Sequence, residues 1–247
     1  MINNLRSDLK KFADPQKAEF YLRFFRTGPG QYGEGDKFIG VTVPNNRAVA
    51  KKYQDLGFYD LEKLIKSPIH EERLCALLIL VEQFKNGDIK TREKIYKFYL
   101  ANTKYINNWD LVDLSADQII GGYLQNKPKA ALAKLARSEN LWEKRIAIVA
   151  TFHFNKKGEP KHTLEIAKIL MRDNHDLIHK SVGWMLREVG KRCDEKVLTD
   201  FLDNYANIMP RTMLRYAIER FPKTQRQKYL RKRPAKIKAR PLSALSS

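Results

Sequence analysis

Apolar residues recur at helical spacing along most of this chain, three or four positions apart and so on one face of a helix. Strand patterns are weak, and the candidate at residues 38–43 is interpreted as the entry to a helix starting near Pro44. Pro15, Pro44 and Pro68 each indicate a helix start, because the first helical turn does not need the N–H that proline lacks. The pattern predicts an all-α protein. The clearest helical rows are Ile2, Leu5, Leu9 and Phe12, and Leu74, Leu77, Leu78 and Val81.

Similar helices return with a period of 35 or 36 residues. Each copy opens with a basic or aromatic residue, and the position four residues later lies on the same helix face. A period in this range is typical of stacked helix pairs, because one pair cannot bury its apolar face alone. We therefore predict an α-solenoid of helical repeats with a concave basic face. The first row is Arg73, Trp109, Arg145, Lys180 and Arg215, and the second is Leu77, Asp113, Val149, Trp184 and Glu219.

The charge balance points to a polyanionic partner. The 247 residues include 47 Lys and Arg against 28 Asp and Glu, a net charge of +19. Residues 223–240 contribute nine of these positive charges and no acid, and removing them still leaves +10 on the rest. We predict one repeat domain over residues 1–222, followed by a basic, disordered tail over residues 223–247.

The remaining composition indicates the compartment. Cys75 and Cys193 lie far apart in helix-like patterns, which suits a reducing environment. Residues 1–12 lack the apolar run of a signal peptide, and no stretch approaches the ~18 to 20 apolar residues of a membrane span. His175 and His179 are four residues apart but lack a third ligand, so no metal is expected. We expect a cytoplasmic protein that, in a bacterium, reaches the nucleoid and does not bind membranes.

The clearest loop spans residues 27–36 and contains four glycines. It lacks the lysine and the Ser or Thr of a P-loop, and it carries Glu34 and Asp36, which would repel a phosphate. This composition favours a structural loop or a loop at the edge of bound DNA over a nucleotide site.

The most unusual part of the two rows is Trp109 with Asp113. Their spacing places both on one helix face, with Asp110 about 100° away and expected to be solvated or capping. A core tryptophan beside a surface carboxylate is the simpler interpretation. Against it, the equivalent positions of the other repeats are basic, and a solenoid cannot bury cations without partners. This favours a solvent-facing row that contacts a ligand.

Trp184 lies in the second row, and Gly183 beside it leaves room for a close approach. A lone tryptophan on an apolar helix is usually core, so Trp184 is interpreted either as a core residue or as a ligand contact.

Arg145 also has two interpretations. Its guanidinium suits phosphate oxygens, but it also suits a salt bridge to a neighbouring helix.

Three segments carry a resemblance to a known family: residues 109–113 (WDLVD), 141–147 (LWEKRIA) and 183–188 (GWMLRE). In order and spacing they resemble the AlkD-like DNA glycosylases of bacteria, which are built from HEAT-like helical repeats. The resemblance covers about residues 14–222.

The resemblance implies a role for each site residue. Asp113 would be the catalytic carboxylate, Trp109 and Trp184 the aromatic walls around the damaged nucleotide, and Arg145 a contact to DNA. The aromatic contact that is a tyrosine in the family falls at Phe24, so its hydroxyl is absent here or displaced to Tyr21. The further basic residues expected on the DNA-binding face are Arg73, Lys180 and Arg215.

The activity that the resemblance implies is hydrolysis of the N-glycosidic bond of N3- or N7-alkylated purines in duplex DNA. A single carboxylate suffices for this hydrolysis, because a cationic base leaves without a general acid and Asp113 can stabilise the oxocarbenium-like sugar. We expect a monomer without a cofactor, and the resemblance implies that the base stays stacked in the duplex. The alternative is a non-catalytic DNA-binding HEAT-repeat protein that recognises distorted or branched DNA. A protein scaffold would show a more mixed face and less positive charge.

Overall fold

The computed structural model describes residues 1–231 of the chain. Within this range the regular structure is helical, apart from an isolated β-bridge between Lys37 and Ile69. The prediction of an all-α helical-repeat protein is therefore confirmed. The chain divides into two compact units, Met1–Phe154 and a second unit that begins at Asn155.

The first unit is built from helices of very different lengths. The short helix α11 (Phe152–Asn155) lies at its end and spans the boundary. The other α-helices are α1 (Ile2–Lys10), α2 (Pro15–Phe24), α3 (Val43–Lys52), α4 (Phe58–Ile65), α5 (His70–Asn86), α6 (Ile89–Ala101), α7 (Trp109–Asp113), α8 (Gly122–Leu124), α9 (Ala130–Ala136) and α10 (Leu141–Ala150). A 3-10 turn (Thr103–Tyr105) precedes α7, and a π-helical turn (Asp117–Gly121) follows it.

Helix α5 forms the centre of the first unit. Its middle stretch from Leu74 to Val81 is apolar throughout and buried, which is typical of a helix covered on all sides. It packs against α3, α4, α6 and α7, while α10 packs against α7 and α9. The residues at the start of α5 and on α7 are thereby held inside a closely packed body.

The predicted helix starts are mostly correct. Helix α2 begins at Pro15, and the Asp14 carboxylate accepts the N–H groups of Gln16 and Lys17 at 3.0 and 3.1 Å. Helix α3 begins at Val43, one residue before the predicted proline. The start predicted at Pro68 is wrong by two residues, because α5 begins at His70.

The second unit is described as far as residue 231. Its longest helix, α13, packs against the three helices α12, α14 and α15. The helices are α12 (Lys161–Leu170), α13 (Asp176–Arg192), α14 (Glu195–Tyr205), α15 (Arg211–Ala217) and α16 (Lys223–Arg231).

Helix α16 corrects the predicted start of the tail. Tyr229 on this helix is buried, and Arg211 donates a hydrogen bond to the carbonyl oxygen of Leu230 at 2.7 Å. Residues 223–231 are thus helical, because a single buried tyrosine anchors a segment whose other residues are mainly basic or polar. The rest of the predicted tail, residues 232–247, lies outside the described residues.

The repeat period correctly identified one set of helices. The five residues of the first row lie on five different helices, each one separated from the next by one or more intervening elements. These helices are α5, α7, α10, α13 and α15.

Gly183 on α13 allows a close approach, but not the one expected. A Cβ atom at this position would lie 2.4 Å from the carbonyl oxygen of Met213 and 2.5 Å from Cβ of Tyr216, both on α15. The space beside Trp184 is therefore filled by the neighbouring helix. Gly183 has a packing role inside the second unit.

We predict that Gly183→Ala destabilises the protein by about 1 to 3 kcal/mol, since α15 must move away from α13 to admit the methyl group. Urea denaturation measures the loss. The matched control is Lys191→Ala on the exposed side of the same helix, which should change stability by less than about 0.5 kcal/mol. Equal stability of Gly183→Ala and the control would contradict this packing.

Candidate active site

The site is organised by the one-turn helix α7. Asn108 caps it by accepting the N–H of Trp109 at 2.8 Å, and the helix ends at Asp113. One turn is enough to place Trp109 and Asp113 on the same face, as their spacing predicted. Both side chains are half-buried, so each combines packing within the protein with an exposed part.

Asp113 forms a two-point ion pair with Arg145 on α10. Nε of Arg145 lies 2.9 Å from Oδ1 of Asp113, and Nη2 lies 2.7 Å from Oδ2. The side chain of Arg145 is 6% exposed and that of Asp113 is 17% exposed. The salt-bridge interpretation of Arg145 is thus confirmed, because the guanidinium fork matches the two carboxylate oxygens.

Burial raises the pKa of Asp113 above its ordinary value. The charge and hydrogen bonds of Arg145 act in the opposite direction, and the nearby acids Asp110 and Asp117 add to the rise. Desolvation and like charges disfavour the ionised carboxylate, so its charge depends on Arg145.

Arg73 does not face solvent, and the expectation of a solvent-facing first row is wrong at this position. Its side chain is buried, with Nη2 2.6 Å from Oδ1 of Asp36 and Nη1 2.9 Å from the carbonyl oxygen of Ser67. A carboxylate from the glycine-rich loop supplies the partner that allows the cation to be buried. Arg145 is buried for the same reason, with Asp113 as its partner.

A cavity of about 300 Å³ adjoins Asp113 in the first unit. Its lining is mainly apolar and includes five aromatic residues, together with three acids from α5 and α7. A cavity of this kind favours a flat, apolar or cationic group. The aromatic lining residues are Tyr21, Phe24, Phe25, Phe38 and Trp109, and the acids are Glu71, Asp110 and Asp113.

Helix α2 contributes two of these aromatic residues. Phe24 is 50% exposed and meets Trp109 edge to face, with ring centroids 5.7 Å apart. Tyr21 lines the same cavity one turn earlier. Helix α2 thus brings the rings of Phe24 and Tyr21 to the cavity, and the correspondence of Phe24 to the family's tyrosine stays a prediction.

A buried polar group lies beneath the cavity, and no sequence pattern indicated it. His70 lies between two carboxylates, with Nδ1 3.1 Å from Oδ2 of Asp36 and Nε2 2.8 Å from Oδ2 of Asp110. Asp110 was expected to be solvated or capping; it is buried, and its Oδ1 accepts the N–H of Leu111 at 2.9 Å in the first turn of α7. These partners are 34 and 40 residues away from His70 in sequence, so no local spacing could have identified them.

Asp36 ends the loop of residues 27–36 and gives it a structural role. Within the loop, Gly33 lies against the chain so closely that a Cβ atom would be 2.4 Å from the carbonyl oxygen of Phe25. The side chain of Asn108 also donates to Asp36, at 3.1 Å. The loop is thereby attached to the start of α7.

The other predicted site residues lie in the second unit. Trp184 on α13 is half-buried, and Lys180 on the same helix pairs with Asp176 at 2.7 Å. Arg215 on α15 is exposed. Of these three residues, Lys180 and Arg215 keep a charged group accessible to a phosphate.

Two negative findings concern the described part of the chain. Residues 1–231 contain no group of three or more His, Cys, Asp or Glu side chains placed to hold a metal ion. The same residues include no helix with the length and apolar character that a membrane span requires.

Comparison with known proteins assigns the family. A model of the family described as DNA alkylation repair enzyme matches residues 5–221, and the chain belongs to that family. The AlkD-like resemblance is thereby confirmed. A solved structure described as a predicted DNA alkylation repair enzyme from Enterococcus faecalis is similar, with a TM-score of 0.65 at 14% identity. The similarity covers 85% of this chain and 97% of that one, and it shows a shared fold. Among curated proteins there is no significant match.

We predict that Arg145→Met lowers the free energy of unfolding by about 3 kcal/mol, because it leaves the Asp113 carboxylate without its cation. Chemical denaturation measures the loss. Arg137→Met, at an exposed position of the same unit, is the control and should cost less than about 0.5 kcal/mol. Removing both charges, in Asp113→Leu with Arg145→Met, should recover much of the stability. Equal stability of the two single variants would contradict a buried, mutually dependent pair.

Proposed function

We propose that this family member is a monofunctional DNA glycosylase that hydrolyses the N-glycosidic bond of cationic N3- or N7-alkylated purines in duplex DNA. The observation that carries the proposal is Asp113, a carboxylate fixed at both oxygens by Arg145 and lining an aromatic cavity. A repair enzyme of this family acts on DNA. Which bond the enzyme breaks and which lesion it recognises are what we propose.

One carboxylate is sufficient for this reaction. Alkylation at N3 or N7 gives the purine a positive charge, so the base departs without a proton donor. The bond from the base to C1′ of the sugar breaks, and positive charge develops on the sugar. Asp113 stabilises that charge and orients the water that adds to C1′, while the proton released by the water goes to solvent.

The proposed role of Arg145 is to orient the carboxylate of Asp113. Each carboxylate oxygen has two lone-pair directions, and the guanidinium occupies one on each oxygen. The remaining directions are available to the sugar and the water. A direct contact between Arg145 and DNA, which the family resemblance implies, remains a further proposal.

The proposed role of the aromatic side chains is to recognise the damaged nucleotide. The face of a tryptophan attracts a cationic ring, by ~0.5 to 2 kcal/mol depending on desolvation. Trp109 and Phe24 meet at the cavity, and Trp184 is proposed as the second wall from the family resemblance. Lys180 and Arg215 are proposed as phosphate contacts, whereas buried Arg73 is not.

We predict that Asp113→Asn lowers single-turnover release of 7-methylguanine or 3-methyladenine by at least about a hundredfold, because the amide cannot balance the charge on the sugar. Mass spectrometry of bases released from methylated duplex DNA measures the rate at saturating protein. Asp55→Asn, an exposed carboxylate of the same unit, should keep the wild-type rate. DNA affinity and folding are measured in parallel, so that loss of chemistry is separated from loss of structure.

Two results would decide against the proposal. Unchanged release in Asp113→Asn would remove this carboxylate from the chemistry. A wild-type protein that binds DNA but frees no modified base would favour the non-catalytic alternative, a relative that recognises distorted or branched DNA.

The basic C-terminal segment is proposed as a sequence-independent DNA anchor. Since α16 is part of the second unit, the informative truncation follows Arg231 and removes residues 232–247, which carry five Lys or Arg. Every phosphate that the truncated protein no longer neutralises should flatten the slope of log affinity against log salt by ~0.9. Binding should weaken while single-turnover base release at saturating protein stays near the wild-type rate. An unchanged salt slope would exclude the anchor.

A further inference from the structure

His70, the first residue of α5, is buried with both ring nitrogens facing carboxylates. Nδ1 lies 3.1 Å from Asp36 and Nε2 lies 2.8 Å from Asp110. A neutral imidazole has one N–H and could donate to one of them, whereas an imidazolium donates to both. Two ionised carboxylates in this arrangement therefore require a protonated ring.

The electrostatics agree with the geometry. Burial alone would lower the pKa of His70, but the charge of Asp110 and hydrogen bonds with Asp110 and Asp36 outweigh it and raise the pKa to about 9. For the acid Asp36, burial alone would raise the pKa, yet His70 and Arg73 hold the pKa of Asp36 below its ordinary value. At neutral pH the group therefore comprises two carboxylates, one imidazolium and one guanidinium.

The two carboxylates attach His70 to the elements of the candidate site. Asp110 lies in α7 directly after Trp109 and three residues before Asp113. Asp36 also accepts a hydrogen bond from Asn108, whose Oδ1 caps the N–H of Trp109. The imidazolium thus holds the N-terminal end of α7 through Asp110 and, by way of Asp36, through its cap.

A continuous aromatic stack forms a second connection. Phe38 stacks on the ring of His70 with centroids 4.6 Å apart, and Phe25 stacks on Phe38 at 5.0 Å. Phe25 in turn stacks on Trp109 at 5.2 Å. The aromatic wall of the cavity therefore begins at His70 and ends at Trp109.

Other charged groups nearby do not replace the imidazolium. Arg73 is engaged by Asp36 and by the carbonyl oxygen of Ser67. Glu71 accepts backbone N–H groups of residues 39–41, at 2.8 to 3.2 Å. Loss of the proton from His70 would leave Asp36 paired with Arg73, whereas residues 1–231 show no ion pair of Arg73 with Asp110.

We propose that His70 is a positioning residue for the site: its imidazolium bridges Asp36 and Asp110 and thereby fixes α7, with Trp109 and Asp113, in its position beside the cavity. The effect on catalysis rests on the proposed glycosylase function. The structural link between His70 and Trp109 does not, and it can be tested separately.

The first test follows Trp109 by fluorescence in the full-length protein carrying Trp142→Phe and Trp184→Phe, which leaves Trp109 as the remaining tryptophan. Because the pKa of His70 is raised, the bridge is complete at neutral pH and is lost as the pH rises through about 9. Trp109 emission should change with a midpoint near this pH. The step should be absent in His70→Gln with Asp110→Asn, which lacks both the imidazolium and one carboxylate. It should be present in the control His162→Gln, a histidine of α12 in the second unit.

The second test measures single-turnover base release. His70→Gln should be slower by roughly tenfold to a hundredfold, because a small displacement of Asp113 from the sugar is costly. DNA affinity should stay within about twofold, and adding Asp110→Asn should restore part of the rate by removing the unbalanced carboxylate. His162→Gln should behave as wild type.

The outcomes separate the two proposals. Two fluorescence results would overturn the positioning role. One is a pH step in Trp109 emission that persists in His70→Gln with Asp110→Asn, and the other is the absence of a step near pH 9 in the protein that keeps His70. A folded His70→Gln protein with the wild-type rate would also overturn it. Absence of base release by the wild type would defeat the proposed function, while the fluorescence step would still decide the role of His70.

Discussion

The candidate site depends on the ion pair between Asp113 and Arg145. The two residues belong to different helices, α7 and α10, and neither charge could be buried there without the other. A buried pair of this kind stabilises a fold little compared with well-packed apolar residues, because desolvation offsets most of the attraction. Its value lies in geometry: two hydrogen bonds fix the plane of the carboxylate next to an aromatic cavity.

The same principle extends to the other acids around the cavity. Asp36 and Asp110 share His70, Asp36 also pairs with Arg73, and Glu71 is held by backbone N–H groups. Each of these acids thus has at least one partner at hydrogen-bond distance, and His70 serves two of them. A set of fixed charges in a mainly apolar cavity is what stabilisation of a cationic transition state requires, since little reorganisation is needed during the reaction. The helical core supports this arrangement through α5, whose first turn carries His70, Glu71 and Arg73.

The repeat period predicted the helices but did not predict the ion-pair partners of the basic residues on them. Equivalent positions in successive repeats lie on α5, α7, α10, α13 and α15, so the period found the correct helices, and the spacing of Trp109 and Asp113 predicted their common face. The expectation of solvent-facing cations was wrong at Arg73 and Arg145. Their partners come from a loop and from another helix, and a comparison of equivalent positions cannot detect a contact between residues 37 or 32 positions apart.

Two further differences have the same origin. Gly183 suggested room for a close approach beside Trp184, but α15 occupies that space, and the distance between α13 and α15 is not encoded in the local pattern. Residues 223–231 lack apolar periodicity, yet the burial of Tyr229 is enough to include them in the fold as α16. Asp36 and His70 escaped detection because a buried ionic group depends on tertiary contacts, and their sequence neighbours carry no corresponding signal.

The most direct test of the account is the pH dependence of single-turnover base release, corrected for spontaneous depurination. If the ionised Asp113 carboxylate stabilises the developing charge on the sugar, the rate falls as the pH is lowered through one ionisation. Because burial raises the pKa of Asp113, that ionisation should lie above the ordinary value of 3.8. A rate that stays constant until the protein unfolds in acid, or an acid limb that persists in Asp113→Asn, would contradict the assignment of Asp113.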